Sequence, residues 1–243
     1  MWYQDWFADE HYLALYRHRN DAEAAMLLDL VERTVQPKKD ARILDLACGA
    51  GRHSIAFAKR GYKNITGLDL SPTLIAKAKN TAEAEHVAIN FIEGDMRSLS
   101  GTYDLILNLF TSFGYFESDT DNDTVIVRIG SSLVNSGYFV LDFFNAAYIK
   151  KTLKPHSTKD ILTGERIDEF RELAGNRVNK KIIITTFDCT KEYHESVRLY
   201  TRDDLTAMIE REGMQISVIC GSYAGGPFDE ERSERCIIFA VKK

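Results

Sequence analysis

Ile43-Leu44-Asp45-Leu46-Ala47-Cys48-Gly49-Ala50-Gly51-Arg52-His53 is the stretch whose reading decides the fold. A short apolar run opens into two glycines one residue apart. A helical stretch then follows from His53 to Lys59 and stops at Gly61. A strand, a tight turn and a helix are expected in that order. Glycines in such a turn let a ligand approach the backbone, and a helix N-terminus offers free N–H groups.

Outward from this turn the pattern repeats. Ile65–Asp69 reads as a second strand, with Ser71 and Pro72 as N-cap and first residue of the next helix. Ile89–Glu93, Tyr103–Leu109 and Gly137–Phe143 read as further strands, with a helix over Thr124–Leu133. Strand and helix alternating in this way imply a parallel sheet with helices on both faces. On the N-terminal side, residues 8–33 carry apolar positions at helical spacing, with a break near Asn20-Asp21, and Pro37 ends the segment.

After Asn145 the alternation stops. Residues 163–200 hold three period-two or β-branched stretches, separated by turn signals such as Gly175-Asn176. They predict antiparallel strands inserted into the α/β frame. The frame resumes with Thr201-Arg202-Asp203-Asp204 capping a helix to Glu212, then strands at Met214–Cys220 and Arg235–Val241. The loop between those two strands, from Gly225 through Arg232 to Arg235, reads as solvated rather than as a flap.

The composition sets the class. Of 243 residues 44% are hydrophobic and 28% charged, which is ordinary for a globular chain able to bury a large core. The 31 basic and 36 acidic residues give a net charge of −5, which disfavours nucleic acid as partner. Cys48, Cys189, Cys220 and Cys236 form no CxxC pair, so neither a metal cluster nor a disulfide framework is expected. The sequence contains no run of 18 apolar residues and Met1–Phe7 has no signal-peptide pattern, so no membrane partner is expected and the cytoplasm is the default location.

The acidic residues around the glycine turn narrow the ligand. Asp69 ends the second strand, placed to accept both hydroxyls of a ribose. Asp95 ends the third, in Gly94-Asp95-Met96-Arg97, where a carboxylate can take an adenine amino group. A dinucleotide loop carries a third glycine where this chain has Ser54, and Asp45, four residues before Gly49, would repel a pyrophosphate. The same carboxylate suits a cationic amino-acid end. S-adenosylmethionine has an ammonium, a sulfonium and no phosphate, so the charges favour it over NAD.

Asp45-Leu-Ala-Cys-Gly-Ala-Gly-Arg-His resembles motif I of the class I S-adenosylmethionine-dependent methyltransferases. Asp69-Leu-Ser-Pro, Gly94-Asp-Met-Arg and Asp104-Leu-Ile-Leu-Asn-Leu-Phe resemble the following motifs, so the resemblance covers about residues 40–145. It implies an α/β, Rossmann-like seven-stranded sheet with an antiparallel last strand, and the Met214–Cys220 and Arg235–Val241 pair suits that ending. Phe110-Thr-Ser-Phe-Gly-Tyr-Phe116 is similar to the small-molecule branch that contains the dTDP-aminosugar N,N-dimethyltransferases. That branch implies an N-terminal helical cap (1–36 here) and a β insertion after strand five (149–200). The cofactor-binding domain would then span 37–148 and 201–243.

The implied activity moves a methyl group from S-adenosylmethionine to a small-molecule nitrogen or oxygen acceptor, leaving S-adenosylhomocysteine. On the cofactor side the resemblance implies Tyr16, Arg19, Asp45, Ala47, Gly49, Gly51, His53, Asp69, Leu70, Asp95, Met96 and Leu109. Arg19 and Asp45 would hold the carboxylate and ammonium, and Leu70 and Met96 would meet the adenine. On the acceptor side stand Phe110, Phe113, Tyr115, Phe144, Tyr223 and Arg235. No general base is assigned; His156 and His194 lie in the insertion. A protein-directed methyltransferase and a non-catalytic S-adenosylmethionine-binding protein stay open, and a homodimer is kept as a candidate assembly. Asn108-Leu109-Phe110-Thr111 lacks the prolines that shape a flipped-base slot in nucleic-acid amino methyltransferases.

Overall fold

The computed structural model describes residues 6, 7, 9, 12, 15, 21–160 and 165–243. Helix α1 (Asp21–Val35) leads into β1 (Arg42–Leu46), α2 (Arg52–Lys59), β2 (Asn64–Asp69), α3 (Pro72–Ala84), β3 (Asn90–Glu93) and β4 (Tyr103–Asn108). These are followed by α4 (Asp119–Ser132), β5 (Leu133–Phe144) and α5 (Ala146–Thr152). The chain closes with α6 (Arg202–Arg211), β10 (Met214–Cys220) and β11 (Arg235–Lys242). The seven strands order as β10-β11-β5-β4-β1-β2-β3. The pairs among β1 to β5 are parallel, and β11 is antiparallel to both β5 and β10.

The sheet is covered on both faces, which is why its central strands read as continuous apolar runs. Successive side chains in a strand point to opposite faces. Leu44 and Ile106 therefore join a core with Val125, Ile129, Phe139 and Ile209 on one side. Their neighbours Ile43, Leu105 and Leu107 pack with Leu27, Val31 and Phe57 on the other. Each fully buried large apolar side chain contributes about 1.5–3 kcal/mol relative to exposure.

Several expected boundaries move. Helix α4 begins at Asp119 rather than Thr124, because Ser118 Oγ accepts from the Thr120 N–H at 3.1 Å and caps a polar first turn. Strand β5 starts at Leu133, straight off that helix, rather than at Gly137. Helix α5 was not expected; the Asn145 side chain caps it by accepting from the Ala147 N–H at 3.0 Å. Of the helix expected over 8–33, the second half is α1, and most of the first half lies outside the described residues.

The insertion is a separate antiparallel sheet of four strands, one more than the sequence reading found. β6 (His156–Asp160), β7 (Arg166–Ala174), β8 (Arg177–Thr185) and β9 (Thr190–Arg198) pair in chain order. The missed strand, His156-Ser-Thr-Lys-Asp160, is polar throughout and carries no hydrophobic alternation. On the inner face Ile167, Ile182 and Ile184 pack with Trp6 and Leu15. The same face buries Glu169, which pairs with Lys180 at 2.8 Å and Arg171 at 2.7 Å. Lys180 also reaches Glu195 at 3.2 Å, and Glu195 accepts from the Trp6 indole N–H at 2.7 Å. This chain of contacts ties the start of the protein to the insertion. No helix among the described residues is long and apolar enough to cross a membrane.

Candidate cofactor and acceptor site

A cavity of about 340 Å³ opens at the C-terminal ends of β1, β2, β3 and β4. Asp45, Ala47, Gly49, His53, Asp69, Leu70, Asp95, Met96, Leu109, Phe110 and Tyr115, expected on the cofactor or acceptor side, line this one cavity. In open parallel sheets this end gathers the loops and the helix N-termini, so polar groups converge there.

The first wall is the glycine turn. Ala47, Gly49 and Gly51 have φ of 62°, 56° and 79°, all left-handed. A Cβ on Gly49 would meet nothing within 4 Å, so the absent side chain leaves open cavity at that point. Gly51 acts differently from the expectation and does not line the cavity. A Cβ there would stand 2.7 Å from the Phe91 ring and 3.0 Å from Ala78, so this glycine lets the turn pack against β3 and α3.

Asp69 holds the turn from the second strand. Its Oδ2 accepts from the Gly49 N–H at 2.7 Å and its Oδ1 from the Ser71 N–H at 2.9 Å. Burial raises its pKa, and the backbone donors work against that rise. A carboxylate offers about four lone-pair sites, so capacity remains for a ligand beside the backbone donors. Asp45 is only 2% exposed, and its Oδ2 accepts from Ser54 Oγ at 2.6 Å. Burial pushes its pKa up to about 6, with Ser54 opposing and Asp69 adding to the rise. Asp95 caps the short turn Met96–Ser98 and is gripped by Arg97, with Oδ2 and Nη2 2.6 Å apart. Burial works to raise its pKa, but the Arg97 contacts outweigh it and hold the carboxyl below its usual range.

The opposite wall is aromatic. Phe7 and Tyr12 line it from the N-terminal segment; the resemblance put Tyr12 over the cofactor, whereas Phe7 was not expected there. Their rings lie 4.9 Å apart, and Phe7 meets Tyr115 edge-on at 5.7 Å. No local pattern announces that these aromatics reach across to residues more than a hundred positions away. Phe116, one of the aromatics crowding the acceptor side, also lines the cavity, as do Cys48, Arg52, Lys77 and Ser112, which sequence reasoning missed. The Cys48 thiol is pushed up by burial and by Asp45 and Asp69 nearby, so it stays protonated. His53 lies beside Phe110, ring centres 5.6 Å apart, and its Nε2 has no hydrogen-bond partner among the described residues. Burial, aided by Arg52, lowers its pKa to about 3, so the imidazole is neutral.

Four expected acceptor residues stand off the cavity wall. Phe113 packs against Phe143 and Tyr200, and Phe144 lies tilted against Phe143 with ring centres 4.2 Å apart; both are core. Their alternation with exposed neighbours is too weak in an aromatic-rich stretch to tell core from pocket. Tyr223 donates its hydroxyl to Asp142 Oδ2 at 3.0 Å. Arg235 donates to Asp142 Oδ1 from Nε at 2.8 Å and Nη2 at 2.7 Å. These two therefore support the wall from behind. The loop before Arg235 is fastened as well, since Asn145 Nδ2 donates to the Glu230 and Ser233 carbonyls. Tyr16 and Arg19 lie outside the described residues.

The inserted sheet reaches the site through Arg177. Its guanidinium donates to the carbonyls of Phe116 at 3.1 Å, Gly114 at 3.3 Å and Tyr115 at 3.4 Å. It also donates to the Ser196 carbonyl at 3.0 Å, fixing the aromatic loop to β9.

Residues 43–137 match the family model described as "Methyltransferase domain". Over that stretch the chain is similar to a methyltransferase domain. Its similarity to a Geobacillus sp. (strain WCH70) protein named as a methyltransferase is 33% identity over 103 residues, 42% of this chain and 41% of that one. The curated relatives matched over this part are covered for 36–49% of their own length. The chain is also 26% identical over 218 residues to the dTDP-3-amino-3,6-dideoxy-alpha-D-glucopyranose N,N-dimethyltransferase of Streptomyces fradiae, spanning 84% of this chain and 80% of that one. Among solved structures, an S-adenosylmethionine-dependent methyltransferase from Clostridium acetobutylicum superposes with a TM-score of 0.81 at 18% identity, covering 95% and 96% of the two chains. That likeness is one of fold, and it spans the inserted sheet as well as the seven-stranded one.

Proposed function

We propose that the chain is an S-adenosylmethionine-dependent methyltransferase acting on a nitrogen or oxygen of a small-molecule acceptor. The observation that carries this reading is Asp45. It is a buried carboxylate on the cavity wall, bonded to Ser54 and in no ion pair among the described residues. A buried charge calls for a counter-charge. A ligand ammonium supplies one, whereas a pyrophosphate would be repelled. The open space at Gly49 and a cavity of about 340 Å³, within the ~300–1,000 Å³ usual for ligand pockets, suit a nucleoside of this size.

Asp45 holds the ammonium, Asp69 the ribose hydroxyls through its remaining lone pairs, and Leu70, Asp95 and Met96 the adenine. Bound there, S-adenosylmethionine supplies an electrophilic methyl group on a sulfonium. The chain's own part is positioning, since an in-line displacement needs the reacting atoms collinear and ~3 Å apart. Leu109, Phe110 and Tyr115 close the methyl end and exclude water. An amine acceptor that arrives neutral needs no base; an oxygen acceptor needs its proton removed. His53, neutral at physiological pH, adds no charge of its own at that end.

The small-molecule acceptor is supported by the relative that dimethylates an aminosugar over most of its length. A likeness to a solved amino pentose methyltransferase, TM-score 0.71, agrees in fold. Calorimetry with S-adenosylmethionine, S-adenosylhomocysteine and NAD tests the cofactor, with binding expected for the first two only. Transfer of a labelled methyl across amines, phenols and carboxylic acids then tests the acceptor. Heat with NAD alone would overturn the reading.

A further inference from the structure

Asp142 lies near the C-terminal end of β5, is 0% exposed, and does not line the cavity. Yet its carboxylate bonds to three residues, Phe110, Tyr223 and Arg235. Its Oδ2 accepts from the Phe110 N–H at 2.9 Å and the Tyr223 hydroxyl at 3.0 Å. Its Oδ1 accepts twice from Arg235, and its backbone carbonyl accepts from the Thr111 N–H at 2.9 Å. The two residues it holds, Phe110 and Thr111, are consecutive non-glycine residues with φ of 60° and 59°. Such a pair persists only when surrounding contacts over-determine it.

The ring this turn presents is also held in place. The Arg52 guanidinium sits 4.5 Å from the Phe110 ring centre and Tyr223 lies 6.0 Å from it. Tyr223 therefore touches both the carboxylate and the ring. Only Phe110 of this group faces the cavity, together with Arg52.

We propose that Asp142 is the positioning residue of the methyl end: clamped by Arg235 and Tyr223, it locks the Phe110–Thr111 turn and so sets the Phe110 ring against the sulfonium. What that end does rests on the methyl-transfer reading above; that Asp142 sets the ring does not. An ion partner serving only to neutralise Arg235 would govern stability and leave the ring's placement untouched.

The test places 4-fluorophenylalanine at position 110 and follows its fluorine resonance in Asp142→Asn and Tyr223→Phe. In parallel, calorimetry measures the affinities for S-adenosylmethionine, S-adenosylhomocysteine and adenosine. The two sulfur ligands differ only in the methyl group and its charge, so the ratio of their affinities reads the methyl end alone. In Asp142→Asn the resonance splits or broadens. The preference for the sulfonium drops about fivefold, the size of a lost cation–π contact, while adenosine affinity stays within about twofold. Tyr223→Phe, which keeps the ion pair, shows the same change at about half the size on a logarithmic scale. An unchanged resonance and an unchanged ratio in a folded Asp142→Asn protein overturn the proposal. If that variant does not fold, the same result in Tyr223→Phe overturns it. A parent protein that binds neither sulfur ligand, with the resonance still split in the variant, overturns the methyl-transfer reading and upholds the role of Asp142.

Discussion

In the seven-stranded sheet, Ile43 and Leu44 are neighbours buried in cores on opposite faces. In the inserted sheet, Ile182 is fully buried while its neighbour Lys181 reaches solvent and pairs with Glu192. One sheet is sandwiched between helices; the other has a single covered face, and that face carries Glu169, Lys180 and Glu195 among its isoleucines. The difference separates two ways of building a site. The parallel sheet delivers functional groups directly, from strand ends converging at one edge. The inserted sheet delivers none to the cavity among the described residues. It acts through the backbone it grips, by way of Arg177 and the Trp6–Glu195 contact.

The sharpest way to break this comparison is Asp69→Ala. The change removes the expected ribose partner and frees the Gly49 and Ser71 N–H groups together. Hydrogen bonds to a charged group are worth about 1.5–3 kcal/mol each, so S-adenosylmethionine affinity by calorimetry is expected to fall at least ~100-fold. Unchanged affinity would remove the parallel sheet's claim to the cofactor.

The corresponding change in the inserted sheet strikes stability instead. Glu169→Ala leaves Lys180 and Arg171 facing a gap, and breaking such a buried pair costs about 3 kcal/mol or more in denaturant unfolding. Burial alone would raise the Glu169 pKa, but Lys180, Arg171 and Lys159 outweigh it and bring it down to about 2. A depressed carboxylate stabilises the fold above its unfolded pKa and loses that contribution as pH falls from about 4.5 towards 2. The parent protein is therefore expected to lose stability across that window, and Glu169→Gln to lose less. Cofactor affinity near neutral pH should be spared in both variants.

A smaller effect sharpens the assignment of Asp45. With its pKa raised to about 6 by burial, it gains a proton below that pH, and a ligand ammonium then loses its partner. Affinity for S-adenosylmethionine is expected to fall by up to about tenfold per pH unit below 6, while Asp45→Asn binds weakly with no such slope. The smallest expected effect belongs to Arg177→Lys. An ammonium cannot span the Gly114, Tyr115 and Phe116 carbonyls together, so hydrogen exchange at the Arg198 N–H, which bonds to Gly114, should quicken about fivefold.

Much of the site was legible because its chemistry sits next to its own scaffold. Asp45, Gly49, Asp69 and Asp95 each lie within a few residues of the strand end that aims them. Tyr223 and Arg235 misled for the converse reason. An aromatic and an arginine near the chain's end carry no mark saying that a carboxylate some ninety residues earlier engages them. Strand β6 stayed hidden because an edge strand of polar residues has no buried face to impose alternation. Gly51 was read as a ligand contact, and only the distance to the Phe91 ring shows it to be a packing contact.

By itself the sequence determined the alternation of strands and helices, the left-handed glycine turn and the row of carboxylates beside it. These follow from local backbone sterics and from the period of apolar burial, which act over a few residues. Tertiary structure decided which aromatics face the cavity, which carboxylate holds the methyl end, and how a second sheet grips the wall. Those depend on contacts between segments a hundred residues apart, where the pairing is set by how whole layers pack and leaves no trace in local spacing.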